Sequence, residues 1–311
     1  MLIAPMIISC SLGIGIVDNG IIDVRKLIGT AAANGVAATA PSGARDSTIG
    51  TLSDGAHSFT VTETDDAGTS PASPALNVTV APEITSFSGA NGSTLMIAGT
   101  TAQVQNASQS WSLTMPEADT LRFELRPGDH WRTFGWSDLL DNDGAERTEI
   151  AFAPQYAEGI EINLSYKFMI ESKAENTSSW LLLGQFHQRP ANRPPPFAVE
   201  MSGEHMVIAI RYELPGQTAP TYQGVYHDPI PIQRGQNYFM NIQVNFDNTG
   251  NGYLNVWRDG VQIVSYHGPI GYGSGQTYYW KEGIYRAATT EMMAVRYQGT
   301  VLRPLLPEPH Q

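Results

Sequence analysis

The sequence predicts an all-β protein in which a two-sheet β-jelly-roll fills the C-terminal two-thirds and a smaller β segment precedes it. Three observations carry this expectation. Glycine (30) and proline (20) are plentiful, and Thr, Ser, Tyr and Val recur in short runs, a composition that favours strands joined by turns over long helices. From residue 95 onward short strand-like segments follow one another, at 121–126, 147–152, 160–170, 180–187, 206–213, 238–246, 253–258, 278–286 and 292–302. No segment sustains the 3.6-residue period of an amphipathic helix, and no internal repeat is present.

At 311 residues, 41% of them hydrophobic and 15% charged, the chain has room for one large domain and a small one. The expected boundaries are 1–85 for the small segment, 86–94 for a linker rich in Gly, Ser and Asn, and 95–311 for the jelly roll. In the small segment, turns such as Asp18-Asn19-Gly20, Ser53-Asp54-Gly55 and Asp66-Ala67-Gly68 separate alternating apolar and Thr/Ser positions. These phrases resemble the second half of bacterial immunoglobulin-like modules, so a partial module of that kind is expected there.

The formal net charge of −12 argues against general nucleic-acid binding, which needs basic surface to displace counterions. An anionic ligand must therefore be met by a local cluster of Arg and Lys. Cys10 is the single cysteine, which excludes an intrachain disulfide and a cysteine-based metal site. Its setting, Ile7-Ile8-Ser9-Cys10, resembles a lipoprotein processing box without the usual preceding cation. The apolar opening is interrupted by Pro5, Gly13 and Gly15 and is shorter than the ~20 residues of a spanning helix, so no membrane span is expected.

Three segments pair polar groups at i and i+2, the spacing that puts side chains on one face of a strand. They are Arg147-Thr148-Glu149, Gln185-Phe186-His187 and Lys281-Glu282-Gly283-Ile284-Tyr285. Phe186 then turns toward a core, and Gly283 is expected to leave space for a ligand to approach the backbone. If the three faces meet on one sheet, they suit β-elimination at a uronate. The C5 proton of a uronate is weakly acidic beside its carboxylate, so that charge must be offset first. Arg147, Gln185 or Lys281 can do this by charge-assisted hydrogen bonding. His187 and Tyr285 suit the base that takes the C5 proton and the acid that protonates the oxygen leaving C4, with Arg147 or Lys281 expected to favour the phenolate.

The three motifs, in this chain order, resemble the signature of jelly-roll polysaccharide lyases of the concanavalin-like sandwich type, a group that includes family 7 alginate lyases, family 13 heparin lyase I and family 20 glucuronan lyases. The ending Tyr279-Trp280-Lys281-Glu282-Gly283-Ile284-Tyr285-Arg286 is more similar to the heparin and glucuronan branch, as are the stretch from Leu121 through Arg126 to Asp129 and the proline-rich loop 190–196. The resemblance spans about residues 95–305. It implies catalysis by His187 and Tyr285, carboxylate neutralisation by Gln185 with Arg147 or Lys281, and substrate contacts that include Glu149 and Arg126. It implies an anionic polysaccharide as partner, glucuronan-like first and alginate second, no required cofactor, and a secreted or cell-surface location.

Structural alternatives stand beside these roles. Arg147 and Glu149 alone would read as an exposed cross-strand ion pair of little energetic value, and His187 alone as a surface or core histidine. The other histidines have no companions at metal-ligand spacing. The oxygen-rich turns Asp138-Leu139-Leu140-Asp141-Asn142-Asp143-Gly144 and Asp247-Asn248-Thr249-Gly250-Asn251-Gly252 admit calcium as an option but lack the closing Glu of a twelve-residue loop. Most of Trp111, Trp131, Trp136, Trp257 and Trp280 are expected in the core. A noncatalytic carbohydrate-binding module on the same fold is the competing function. A glycoside hydrolase ranks last, because no strand carries the paired carboxylates it needs.

Overall fold

The computed structural model describes residues 84–304, Ser274 excepted, and before them only the backbone of short strands between Gly13 and Val80. The chain divides into two compact units, Met1–Pro82 and Glu83–Gln311. The Cys10 context falls outside the described residues, and of the expected immunoglobulin-like segment only those short strands are described.

The second unit is a β-sandwich. Its strands are β1 (Ile84–Ser86), β2 (Thr94–Ile97), β3 (Thr100–Asn106), β4 (Leu113–Glu117), β5 (Thr120–Leu125), β6 (Arg132–Thr133), β7 (Trp136–Ser137), β8 (Glu146–Phe152), β9 (Tyr156–Ala157) and β10 (Glu161–Ile170). They continue as β11 (Leu181–Arg189), β12 (Phe197–Ser202), β13 (His205–Tyr212), β14 (Thr221–His227), β15 (Tyr238–Asn245), β16 (Tyr253–Arg258), β17 (Val261–His267), β18 (Thr277–Arg286) and β19 (Met293–Pro304). One sheet runs β1-β2-β3-β8-β18-β11-β12-β13-β14, with β9 also paired to β18; the other runs β4-β5-β19-β10-β15-β16-β17. This is the expected jelly roll, and neighbours such as β8 and β18 lie far apart in sequence, as its crossing connections require.

The core lies between the two sheets, where Trp280, Phe186, Phe197, Tyr166, Tyr297 and Phe123 are fully buried. Their rings interlock: Trp280 lies 5.2 Å from Phe186 and 5.7 Å from Tyr166, and Phe123 meets Tyr297 edge-on at 5.5 Å. Gly184 is required by this packing, because a Cβ there would lie 2.4 Å from the Trp280 ring. Gly283 has the same kind of duty. Its φ is +134°, and a Cβ would lie 2.3 Å from the Thr148 carbonyl oxygen and 3.0 Å from Phe123. The bare position accommodates the neighbouring strand and the core, which corrects the expectation that it makes space for a ligand.

All nine expected strand segments coincide with observed strands. The expected linker is different: Ser86 and Ser93 bracket a turn that belongs to the second unit. There Asn91 accepts from Trp131 Nε1 at 2.9 Å and donates to the Arg132 carbonyl at 3.0 Å, while Asn106 donates to the Gly89 carbonyl at 2.9 Å. Gly/Ser/Asn content marks a turn equally well, and here the turn joins two paired regions of one sheet. A four-residue helix, α1 (Asp138–Asp141), had no periodic signal in the sequence.

Candidate active site

The three polar strand motifs converge on the open face of the longer sheet. Arg147 on β8 stands opposite Tyr285 on β18, and on the other side of β18 Lys281 stands opposite Gln185 and Tyr279 opposite His187 of β11. Strand alternation sends Tyr278, Trp280 and Ile284 inward to the core, while Lys281 and Tyr285 face the other way. Together with His187, Gln185 and Arg147 they line a groove of about 740 Å³. A groove of this size is in the range of ligand sites.

Beneath the groove floor lies Glu149, 2% exposed. It is held by three donors: Lys281 Nζ at 2.5 Å, Gln185 Nε2 at 2.6 Å and Arg147 Nη1 at 3.2 Å. Burial raises its pKa, but the Lys281 and Arg147 charges outweigh that and hold the carboxyl below the usual range. Arg147 also makes a bidentate pair with the buried Asp138, at 2.8 and 2.9 Å, and its guanidinium lies 3.8 Å from the centre of the Tyr285 ring. Two cations thus face two carboxylates, and the network is neutral as a whole. Such buried pairing is costly to assemble and gives fixed geometry in return.

His187 and Tyr285 are both half-buried in the groove wall. Burial, with the Lys281 charge second, brings the His187 pKa down to about 4, so the imidazole is neutral at neutral pH. Its Nδ1 lies 3.1 Å from the Gln188 carbonyl oxygen and 3.0 Å from the Gln188 N–H. In the tautomer that donates from Nδ1 to that carbonyl, Nε2 is the acceptor. Burial pushes Tyr285 up to about 12 against the opposing charge of Arg147, so the resting group is a phenol. The Arg147 charge favours the phenolate, as expected of the cations, but desolvation is the larger effect. Asn142 donates from Nδ2 to the Tyr285 hydroxyl oxygen, and Trp180 meets the Tyr285 ring edge-on at 4.9 Å.

Burial also brings the Lys281 pKa down to about 8, with Arg147 adding to the effect and Glu149 opposing it. Gln185 commits one N–H to Glu149, and its Oε1 is buried with no hydrogen-bond partner. The second N–H of that amide and the remaining N–H groups of Lys281 are the donors left for a ligand.

Two expected site residues stand elsewhere. Glu149 is not a wall of the groove but the anchor under it. Arg126 lies just after β5, on the opposite sheet, where its guanidinium covers the Trp111 ring at 3.9 Å and pairs with Glu124 at 2.6 Å. It is absent from the groove lining because β5 is paired with β4 and β19. Of the five tryptophans weighed as core or sugar contacts, Trp280 is buried, while Trp131 and Trp136 line the groove.

Asp138, Asn142, Tyr279 and Trp180 were not singled out in the sequence as site residues. Asp138 and Asn142 belong to the turn that admitted calcium, and the Asp138 carboxylate is taken by Arg147 and by Trp136 Nε1. In the second such turn Asp247 Oδ1 accepts from the Thr249 and Asn251 N–H groups at 2.7 and 3.3 Å. Among the described residues no group of three or more His, Cys, Asp or Glu side chains is arranged to hold a metal ion.

The sequence profile of the polysaccharide lyase family matches residues 84–300, which is the whole sandwich up to the middle of its last strand. The chain belongs to the polysaccharide lyase family. Solved structures similar to this lyase include the endo-β-1,4-glucuronan lyase of the fungus Trichoderma reesei, at 13% identity over 65% of this chain and 86% of that one, with a TM-score of 0.50. A family 7 alginate lyase aligns at 13% identity over 64% of this chain and 84% of its own, with a TM-score of 0.44. The Pseudomonas aeruginosa alginate lyase PA1167 aligns at 17% identity over 64% and 88%, with a TM-score of 0.41. At 13% identity the likeness to the glucuronan lyase speaks for the fold. No curated protein matches the chain in sequence. Among the described residues of the lyase no helix is long and apolar enough to cross a membrane.

Proposed function

We propose that this lyase cleaves a uronate-containing polysaccharide, glucuronan-like in the first instance, by β-elimination in the Arg147–Gln185–His187–Lys281–Tyr285 groove. The supporting observation is that a neutral imidazole and a protonated phenol line the same groove as Lys281, Gln185 and Arg147. The donors of Lys281 and Gln185, with Arg147 beside them, meet the uronate carboxylate and make the adjacent C5 proton more acidic. His187 takes that proton. The electron pair left on C5 forms the C4–C5 double bond as the C4–O bond breaks, and Tyr285 delivers its proton to the departing glycosidic oxygen. Each group starts in the protonation state its role requires. A polymeric substrate of this kind favours action outside the cytoplasm.

The test is incubation with glucuronan, alginate, heparin and hyaluronan while the ultraviolet absorbance of a C4–C5 unsaturated uronate is followed. Growth of that absorbance with chain shortening is expected on glucuronan. Binding without shortening on every polymer would replace this reading with a noncatalytic carbohydrate-binding module.

A further inference from the structure

We propose that Arg193 forms a second carboxylate subsite in this groove, on the His187 side, which binds a neighbouring uronate and so selects polysaccharides with uronates in succession. That the neighbouring ring belongs to a chain being cleaved rests on the lyase reading. Along β11, Gln185 stands opposite Lys281 and His187 opposite Tyr279, and the loop 190–196 follows at that end. A sugar chain held by one carboxylate at Gln185 and Lys281 and running past His187 reaches the wall that Arg193 lines.

Arg193 is anchored and still has donors to offer. Its Nε donates to Glu213 Oε1 at 2.6 Å and its Nη1 to the Asn192 carbonyl at 3.2 Å. Glu213 is buried and is not part of the groove lining, whereas the Arg193 side chain is 35% exposed. Among the described residues Nη2 has no hydrogen-bond partner. The pair repeats the arrangement of Lys281 on Glu149, in which a buried acid fixes a cation that keeps N–H groups for a ligand. A guanidinium can meet two carboxylates at once, as Arg147 does with Asp138 and Glu149.

The loop that carries Arg193 is fixed before a ligand arrives. The Arg193 carbonyl accepts from Gln188 Nε2 at 2.5 Å, the Pro194 carbonyl from the Tyr272 hydroxyl at 2.7 Å and the Pro195 carbonyl from Arg211 Nη1 at 3.1 Å. Pro194, Pro195 and Pro196 restrict the backbone further. A donor presented from such a loop loses little freedom on binding.

Charge at this end favours an anion. Each acid is matched, Glu213 by Arg193 at 2.6 Å and Glu200 by Arg211 at 2.7 Å. Arg189 adds a third cation, 5.0 Å from the centre of the Tyr279 ring, and has no acidic partner among the described residues. In a chain of formal charge −12, this is the local basic cluster that an anionic polymer requires.

Kinetics on the full chain test the subsite. On glucuronan, R193A is expected to raise KM about tenfold with kcat little changed, and R193K to recover part of the loss. The comparison polymer is a β-1,4-glucan oxidised at a minority of its C6 positions, in which most uronates have glucose neighbours. There R193A and the wild type are expected to have nearly the same KM. Equal KM values on glucuronan overturn the subsite and leave the lyase reading intact. An equal loss on both polymers also overturns it, because Arg193 then serves the loop and not a second carboxylate. If no polymer undergoes elimination, calorimetry with a glucuronate tetrasaccharide decides. Binding that R193A weakens about tenfold keeps the carboxylate subsite and sinks the lyase reading. Absent binding, or binding unchanged in R193A, sinks both.

Discussion

Lys281 Nζ and Glu149 Oε2 lie 2.5 Å apart, both side chains buried, on strands that the chain order separates by more than a hundred residues. This pair joins β8 to β18. Removing the acid in E149A leaves two buried cations facing each other, Lys281 and Arg147. The expected loss of stability is about 3 kcal/mol, measured by chemical denaturation. A loss within experimental error would mean that the network is not held by this carboxylate.

The same pair shapes the pH dependence. His187 must be neutral to accept a proton, so kcat/KM is expected to rise as pH climbs through about 4. Lys281 must be charged to meet a carboxylate, so kcat/KM is expected to fall as pH climbs through about 8. Substitution of Lys281 by arginine, which stays charged, should remove the alkaline limb from that region even if turnover drops. An alkaline limb unmoved in K281R would assign it to another group.

H187A and Y285F are expected to lower kcat by a factor on the order of 10² or more, followed by the ultraviolet signal of the unsaturated product. Y285F keeps the ring that packs against Arg147 and Trp180, so a normal fold with lost turnover isolates the hydroxyl. Near-normal turnover in either variant would remove that residue from the chemistry.

Asn142 donates to the Tyr285 oxygen and so makes the phenol a better acid. In N142A the phenol should become harder to deprotonate, and kcat should fall roughly tenfold, the worth of one such hydrogen bond, with KM little changed. A change confined to KM would make Asn142 a substrate contact only.

G283A should destabilise the protein by about 2 kcal/mol or more, read as a lower thermal midpoint, because the new Cβ meets the Thr148 carbonyl at 2.3 Å from a positive φ. Unchanged stability would return Gly283 to the role of a gap for ligand.

The three site strands were legible in the sequence because alternation on a strand is local: Arg147 with Glu149, Gln185 with His187, and Lys281 with Tyr285 each declare a shared face two or four residues apart. Turn composition and short alternating segments likewise announced the sandwich. What could not be read there is which way each shared face is used. Glu149 became the buried anchor and Gly283 a packing gap only once β8 and β18 were side by side, and Arg126 left the site because its strand pairs into the other sheet. Asn142 and Trp180 reach the groove from irregular segments that carry no period, and Asp138 meets Arg147 from a helix too short to show one. Burial, which holds the imidazole neutral and the phenol protonated, depends on neighbours from the whole chain; local sequence supplies the groups, and only the tertiary packing sets their charge and distance.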